Sequence, residues 1–243
     1  MVSQRATAEP AHRRSRSASA LPVLTVLVLL LGTAACSDGK ASAEPTLTVT
    51  PDPNPSVWTT KGSPSAARAA SQALLRRSDL PPGYTSSPLD VPSVRAVRPP
   101  ACRALWGPGL GLLDGATGLA ATAFVGTDLS AVAHSVGVYT TPAAGVAAVE
   151  RARQLGRACA RTVVNGATFA VTSVDRPGAD GAPGVTLVLR QTRGVGQTTV
   201  TVKGRMVSVL VIASRPPGPQ TALVQQTALA TTRRLSDAVA TGA

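Results

Sequence analysis

The chain has 243 residues, 24 Lys and Arg against 12 Asp and Glu, a formal net charge of +12, 20 prolines, 22 glycines and only 2 % aromatic residues. So basic a chain raises nucleic acid as a partner. The arginines oppose that reading: outside the N-terminal cluster they are spread singly, adjacent only at Arg76-Arg77 and Arg233-Arg234, with no aromatic-studded basic strand or recognition motif. With so few aromatic rings, any core is built from Val, Leu and Ala.

Arg13, Arg14 and Arg16 precede an apolar run, Leu21 to Leu31, then small residues and Cys36. A basic segment, a short apolar segment and small residues in that order form an export signal. Eleven residues are too few to span a bilayer, which takes about 20. The run Leu31-Gly32-Thr33-Ala34-Ala35-Cys36 resembles the lipobox of a bacterial lipoprotein signal peptide. The resemblance implies cleavage after Ala35 and a diacylglyceryl group on Cys36, with residues 1–35 as leader. The family places Leu three positions before the cysteine, where this chain has Thr33. The alternative is an ordinary secretory signal cut near Thr33-Ala34-Ala35. Arg13-Arg14 also admits twin-arginine export, although the apolar residues expected just after the pair are missing. Loss of the leader removes four arginines and Glu9 and leaves +9.

Residues 36–63 read as a tether, with Thr50-Pro51-Asp52-Pro53-Asn54-Pro55 at their centre. Such a segment buries too little apolar area to offset the entropy of ordering. It spans about 30 Å as a coil and roughly 80 Å as extended polyproline. Trp58 is either a chance tether residue or one that docks on the domain.

Residues 64–243 are long enough for a single domain with a sizeable core. Ser63-Pro64 starts a helix running to Arg77, with Ala70, Leu74 and Ala67 as its buried stripe; Asp79-Leu80-Pro81-Pro82-Gly83-Tyr84 stops it. Pro99-Pro100 starts a short helix holding Cys102, Leu105 and Trp106, and Gly107 to Gly118 is a glycine-rich loop. Leu119–Val125 and Ala131–Thr140 read as strands, the second with Val132, His134, Val136 and Val138 on one face. Thr141-Pro142 opens a helix to about Arg161, with Val146, Val149, Leu155 and Cys159 near one face. Strands follow at Phe169–Val174, Val185–Gln191, Thr198–Val202 and Met206–Ala213, the last two joined at Lys203-Gly204. A final helix runs from Gln220 to about Val239, with Leu223, Ala230 and Thr227 on one stripe. Hairpins outnumber crossovers, so the expected fold is α+β, a mainly antiparallel sheet with helices packed on one face.

With Cys36 lipidated, Cys102 and Cys159 remain, and in an oxidising compartment they pair. Neither belongs to a CxxC, and His134 is the sole histidine outside the leader, so metal and thiol-redox roles lack their usual parts. His134 alternates with valines, the pattern of a packed, hydrogen-bonded histidine rather than a catalytic base. No G-x-S-x-G elbow occurs. Asp175 and Asp180 lie close in sequence but read as turn residues rather than a glycosidase pair. Gly107-Pro108-Gly109-Leu110-Gly111 follows no strand and precedes no Lys-Ser/Thr, so a phosphate loop is not expected. It reads as a surface loop or as a lid on a pocket.

Leu74-Leu75, then Asp79-Leu80-Pro81-Pro82-Gly83-Tyr84, then Cys102 with Leu105 resemble the extracytoplasmic sensor domain of PknH-type receptor kinases and its lipoprotein relatives. The Ala-rich helix ending at Cys159, the loop Gly178 to Gly181 and the hairpin after it continue the likeness over about residues 70–240. The resemblance implies an α+β fold with a cleft for an unidentified ligand. The kinase domain has two disulfides where this chain forms one, and here the tether leads to a lipid instead of a kinase. The Ala, Val, Thr, Arg and Gly bias is that of a GC-rich actinobacterial coding sequence.

The expected function is therefore a lipid-anchored, non-catalytic binding or sensor-like protein on the outer face of the cell membrane, without cofactor. An apolar envelope metabolite would sit between sheet and helices, among small aliphatic residues. Two alternatives stand beside it. One is an envelope hydrolase or transferase with a site around His134; the other is a structural module whose basic surface meets an acidic cell-wall polymer.

Overall fold

Runs of Val, Leu and Ile alternating with Ala, Gly, Ser and Thr build the framework. In the computed structural model, which describes residues 58–60, 62–88, 96–177 and 181–242, ten strands join in one antiparallel sheet. They are β1 (Trp58–Thr60), β2 (Thr85–Ser86), β3 (Val97–Arg98), β4 (Gly118–Val125), β5 (Ala131–Val138), β6 (Arg161–Val164), β7 (Ala167–Asp175), β8 (Gly184–Gln191), β9 (Gly194–Lys203) and β10 (Met206–Ser214). Their order is β1-β4-β5-β10-β9-β8-β7-β6-β3, with β2 also paired to β4. The helices are α1 (Pro64–Gln72), α2 (Pro142–Ala158) and α3 (Thr221–Ala240), with short 3₁₀ turns at Arg77–Asp79, Pro100–Leu105 and Leu110–Leu113. Cys36 and almost all of the expected tether lie outside the described residues, as does Asp180.

The α+β class holds, but the helices divide between both faces of the sheet instead of sharing one. β10 shows why. Val207 and Val209 enter a core with Val149 and Ala152 of α2, while Met206, Leu210 and Ile212 enter cores with α1 and α3. Alternation of side chains along a strand sends these two sets to opposite faces. A strand apolar on both faces needs cover on both. The predicted β5 face is likewise confirmed: Val132, His134, Val136 and Val138 are all buried, toward α1 and α3.

Four further expectations are corrected. The sheet begins before residue 64, because the backbone of Trp58–Thr60 pairs with Leu119–Ala121. α1 stops at Gln72 rather than Arg77, and Leu74 and Leu75 are buried in the turn that follows. The stripe of α2 is built from Gly145, Ala148, Val149, Ala152 and Gly156, while Val146 is 43 % exposed. Small residues let the helix lie close on the sheet: a Cβ on Gly156 would stand 2.4 Å from Leu187 Cδ2. Finally, α2 ends at Ala158, and Arg161–Val164 becomes β6, turning into β7 through Asn165-Gly166. Both turn residues have positive φ, 48° and 84°, the geometry that an Asn-Gly hairpin loop takes. Thr141 caps α2 as expected, accepting from Ala144 N–H at 3.2 Å.

Candidate functional site

On the α2 side, two rows of residues cross the sheet. One runs Val125, Ala131, Ala213, Gly196, Leu189; the other runs Ala123, Ala133, Val211, Thr198, Leu187. Four of the five residues Ala123, Ala131, Ala133, Ala213 and Gly196 end at Cβ, and the glycine lacks even that, so the sheet floor is shallow over four adjacent strands. Above it passes the segment that leaves the Pro100–Leu105 turn: Leu105, Trp106, Gly107 and Pro108. Phe169 of β7 and Leu189 of β8 close one side. The result is a largely apolar hollow of ≈ 430 Å³, the scale of a small-molecule site.

The roof of this hollow is fixed at three points. Cys102 in its leading turn is bonded to Cys159 at the end of α2, across a sequence separation of 57, as expected of the pair. The Ser135 hydroxyl donates to Pro108 C=O at 2.8 Å. Trp106 meets Phe169 edge to face, ring centroids 4.5 Å apart, a favoured aromatic geometry. Gly109 is required where it stands: its φ is 75°, and an added Cβ would lie 2.4 Å from Val209 Cγ1. The glycine-rich segment is thus the pinned roof of a pocket, continued by a 3₁₀ turn at Leu110–Leu113.

His134 lies on the opposite face, fully buried. Its Nδ1 accepts from the Leu75 backbone N–H at 3.0 Å, and its Nε2 faces Ser208 Oγ at 2.8 Å. Burial pulls its pKa down to about 3 against a small opposing pull from Asp79, so the ring is neutral. With Nδ1 accepting, the single ring proton sits on Nε2 and is donated to Ser208. A serine nucleophile needs the reverse, a free lone pair on the nitrogen that faces it. The His134–Ser208 pair is therefore a structural hydrogen bond and does not activate the hydroxyl.

Asp79 shows a role that its place in a helix-stop motif does not suggest. Its side chain is 3 % exposed and accepts from Arg234 Nε and Nη2 at 3.0 and 3.1 Å, from Arg233 Nη2 at 3.3 Å and from Arg76 N–H at 2.8 Å. Burial raises its pKa, but Arg234, Arg76 and Arg233 outweigh this and hold it below 3.8. The motif thereby ties α1's end to α3, with Leu80 and Tyr84 in the core beside it. Asp175 is exposed and accepts from Arg153 of α2 at 2.7 Å, in a surface ion pair where the same guanidinium also meets Glu150 one turn back along α2, an arrangement that serves charge pairing rather than a glycosidase pair. Among the described residues no group of His, Cys, Asp and Glu is placed to hold a metal, and no helix is long and apolar enough to cross a membrane.

The hollow's floor was the part that pattern reading passed over. The signal was present: alternation that buries Val132, His134 and Val136 on one face puts Ala131, Ala133 and Ser135 on the other. Placing these alanines beside Ala123, Ala213 and Gly196 requires strand order.

No family model matches the chain, and no curated protein matches it. Among solved structures, the chain is similar to the extracellular domain of PknH from Mycobacterium tuberculosis, with a TM-score of 0.54 and 16 % identity over 72 % of this chain and 98 % of that one. An uncharacterized protein from Mycobacterium smegmatis, the Rv0999 ortholog, aligns at 19 % identity over 72 % of this chain and 96 % of that one, with a TM-score of 0.35. The likeness to the PknH domain is one of fold, and it is the fold that the Asp79–Tyr84 and Cys102 resemblance implied.

Proposed function

We propose that the protein is an extracytoplasmic, lipid-anchored binding or sensor-like protein, non-catalytic, that holds an apolar envelope metabolite in the hollow beneath Trp106. The observation that carries this reading is the hollow itself: a floor of Ala and Gly on four strands under a roof pinned by a disulfide, a hydrogen bond and an aromatic contact. A preformed apolar site loses little entropy on binding. The disulfide favours an oxidising compartment; a leader over residues 1–35 would supply the route and Cys36 the anchor. The PknH likeness supports the location by analogy of fold only.

The test is recovery from native membranes, followed by organic extraction and mass spectrometry. The wild-type protein is expected to carry an apolar compound at near-equimolar amount and a diacylglyceryl group on Cys36. An Ala133→Leu variant, which fills the floor, is expected to lose most of the compound and keep the lipid anchor. Folded protein that is consistently empty, or that loses nothing on filling the floor, refutes the reading.

A further inference from the structure

On the α3 side the sheet is covered unevenly. α3 packs over β9 and β10, while β6, β7 and the Arg190 end of β8 turn this face outward: Arg161, Ala170, Thr172, Val174 and Arg190 are all exposed, whereas Thr186 of β8 is buried. Arg161, Ala170 and Arg190 lie on one cross-strand row. Strands stand about 4.8 Å apart, so the two arginine stems rise about 10 Å apart, with only the Ala170 methyl between them.

Beside this row runs a groove between α3 and the sheet. It consists of two hollows of ≈ 370 and ≈ 310 Å³ that share Arg176 and Val224; Arg190 lines the second. Its sheet side presents Thr199, Thr201 and Gln197 and its helix side Gln225 and Thr232, set around an apolar floor of Leu210, Val224, Ala228 and Leu229 that would meet the carbon faces of a bound chain. Among the described residues no carboxylate lines either hollow, and Arg161, Arg176 and Arg190 take part in no ion pair. Asp175, nearest in sequence, is drawn to Arg153 on the α2 side.

We propose that this groove and the Arg161–Arg190 row bind an acidic polyol polymer, a hydroxylated chain with repeated anionic groups. Guanidinium groups pair with phosphate or carboxylate oxygens. Thr232 Oγ1 donates to Ala228 C=O at 3.0 Å and Gln197 Nε2 to Thr199 Oγ1 at 3.4 Å. Thr232 therefore offers a chain its lone pairs, while Thr201 and Gln225 both donate and accept, which suits a hydroxylated chain. Unpaired arginines beside recessed hydroxyls and amides form a channel for a chain. A bilayer surface is too broad to enter it and would meet only the rim.

The experiment measures binding of the full-length protein to poly(glycerol phosphate), to neutral dextran, and to vesicles of equal parts phosphatidylglycerol and phosphatidylcholine. Two charge-matched double variants are compared: Arg161→Gln with Arg190→Gln, and Arg103→Gln with Arg157→Gln on the α2 side. The proposal expects binding to poly(glycerol phosphate) over dextran, weakened about tenfold by the first pair and less than twofold by the second. It also expects Thr232→Val, which leaves charge unchanged, to weaken binding. Equal loss from both pairs means diffuse charge attraction and overturns it. So does binding to the vesicles without binding to the polymer, or binding to neither.

Discussion

Acidifying the protein from pH 7 toward 4 should destabilise it before its carboxylates titrate, and His134 sets the size of the effect. The imidazole is sealed between α1 and the sheet and is held near pKa 3, against 6.5 for a free histidine. Between those values the unfolded chain takes up a proton that the folded chain refuses. Stability is therefore full above pH 6.5 and falls as pH drops toward 3, by about 1.4 kcal/mol per pH unit. From pH 6 to 4 the loss is roughly 2–3 kcal/mol, a large part of the 5–15 kcal/mol typical of a domain. Urea unfolding followed by circular dichroism at fixed ionic strength, from pH 7 to 4, reads it directly. His134→Gln and His134→Asn should be less stable at pH 7 by about 1–3 kcal/mol, through imperfect bonding to Leu75 and Ser208, yet lose the slope between pH 6.5 and 4.5. The only other histidine, His12, lies near the N-terminus and is unchanged in these variants. If wild type and both variants lose stability in parallel over that interval, the reasoning about this buried ring is wrong.

Replacing Cys102 and Cys159 together by alanine should cost about 4 kcal/mol, the chain-entropy value for a loop of this length, and peptide mapping without reductant should find the two residues joined. Asp79→Asn should cost about 2–3 kcal/mol, because Arg234 is left half-buried without its carboxylate; its contribution is present above pH 3.8 and is lost as pH falls below it, so the variant and wild type should converge in strong acid. Gly109→Ala should lower the unfolding free energy by about 2 kcal/mol, combining positive φ with the clash against Val209, and should weaken whatever the hollow holds. Cys36→Ala should move the protein out of the membrane fraction, as subcellular fractionation would show.

Periodicity carried much of the framework. The alternation Val132, His134, Val136, Val138 placed a strand and its buried face, Thr141-Pro142 placed the start of α2, and Lys203-Gly204 placed the turn before β10. What it could not supply was the partner across each face. Nothing local in Met206–Ser214 says that helices cover both sides, since a strand apolar on both faces reads the same whichever helices lie there. The Asn165-Gly166 signal was legible, but a helix extended to Arg161 absorbed the strand before it. Asp79 and Arg234 are 155 residues apart, so their pairing appears only when α3 crosses the end of α1. The hollow was hidden for the same reason. Each alanine on its floor is unexceptional in its own strand, and only the register of β4, β5, β10 and β9 gathers them under Trp106. The roof, by contrast, was partly visible, because glycine and proline at 107–109 marked a segment held close to something.

The most direct measurement is the affinity of the purified protein for n-alcohols of rising chain length, read through quenching of tryptophan fluorescence in wild type and in Ala133→Leu. A preformed apolar hollow predicts binding that strengthens by about 0.8 kcal/mol per methylene, levels off when the space is full, and levels off at a shorter chain in the variant. Affinity independent of chain length, or the same plateau in both proteins, would show that the hollow beneath Trp106 is not where an apolar ligand goes.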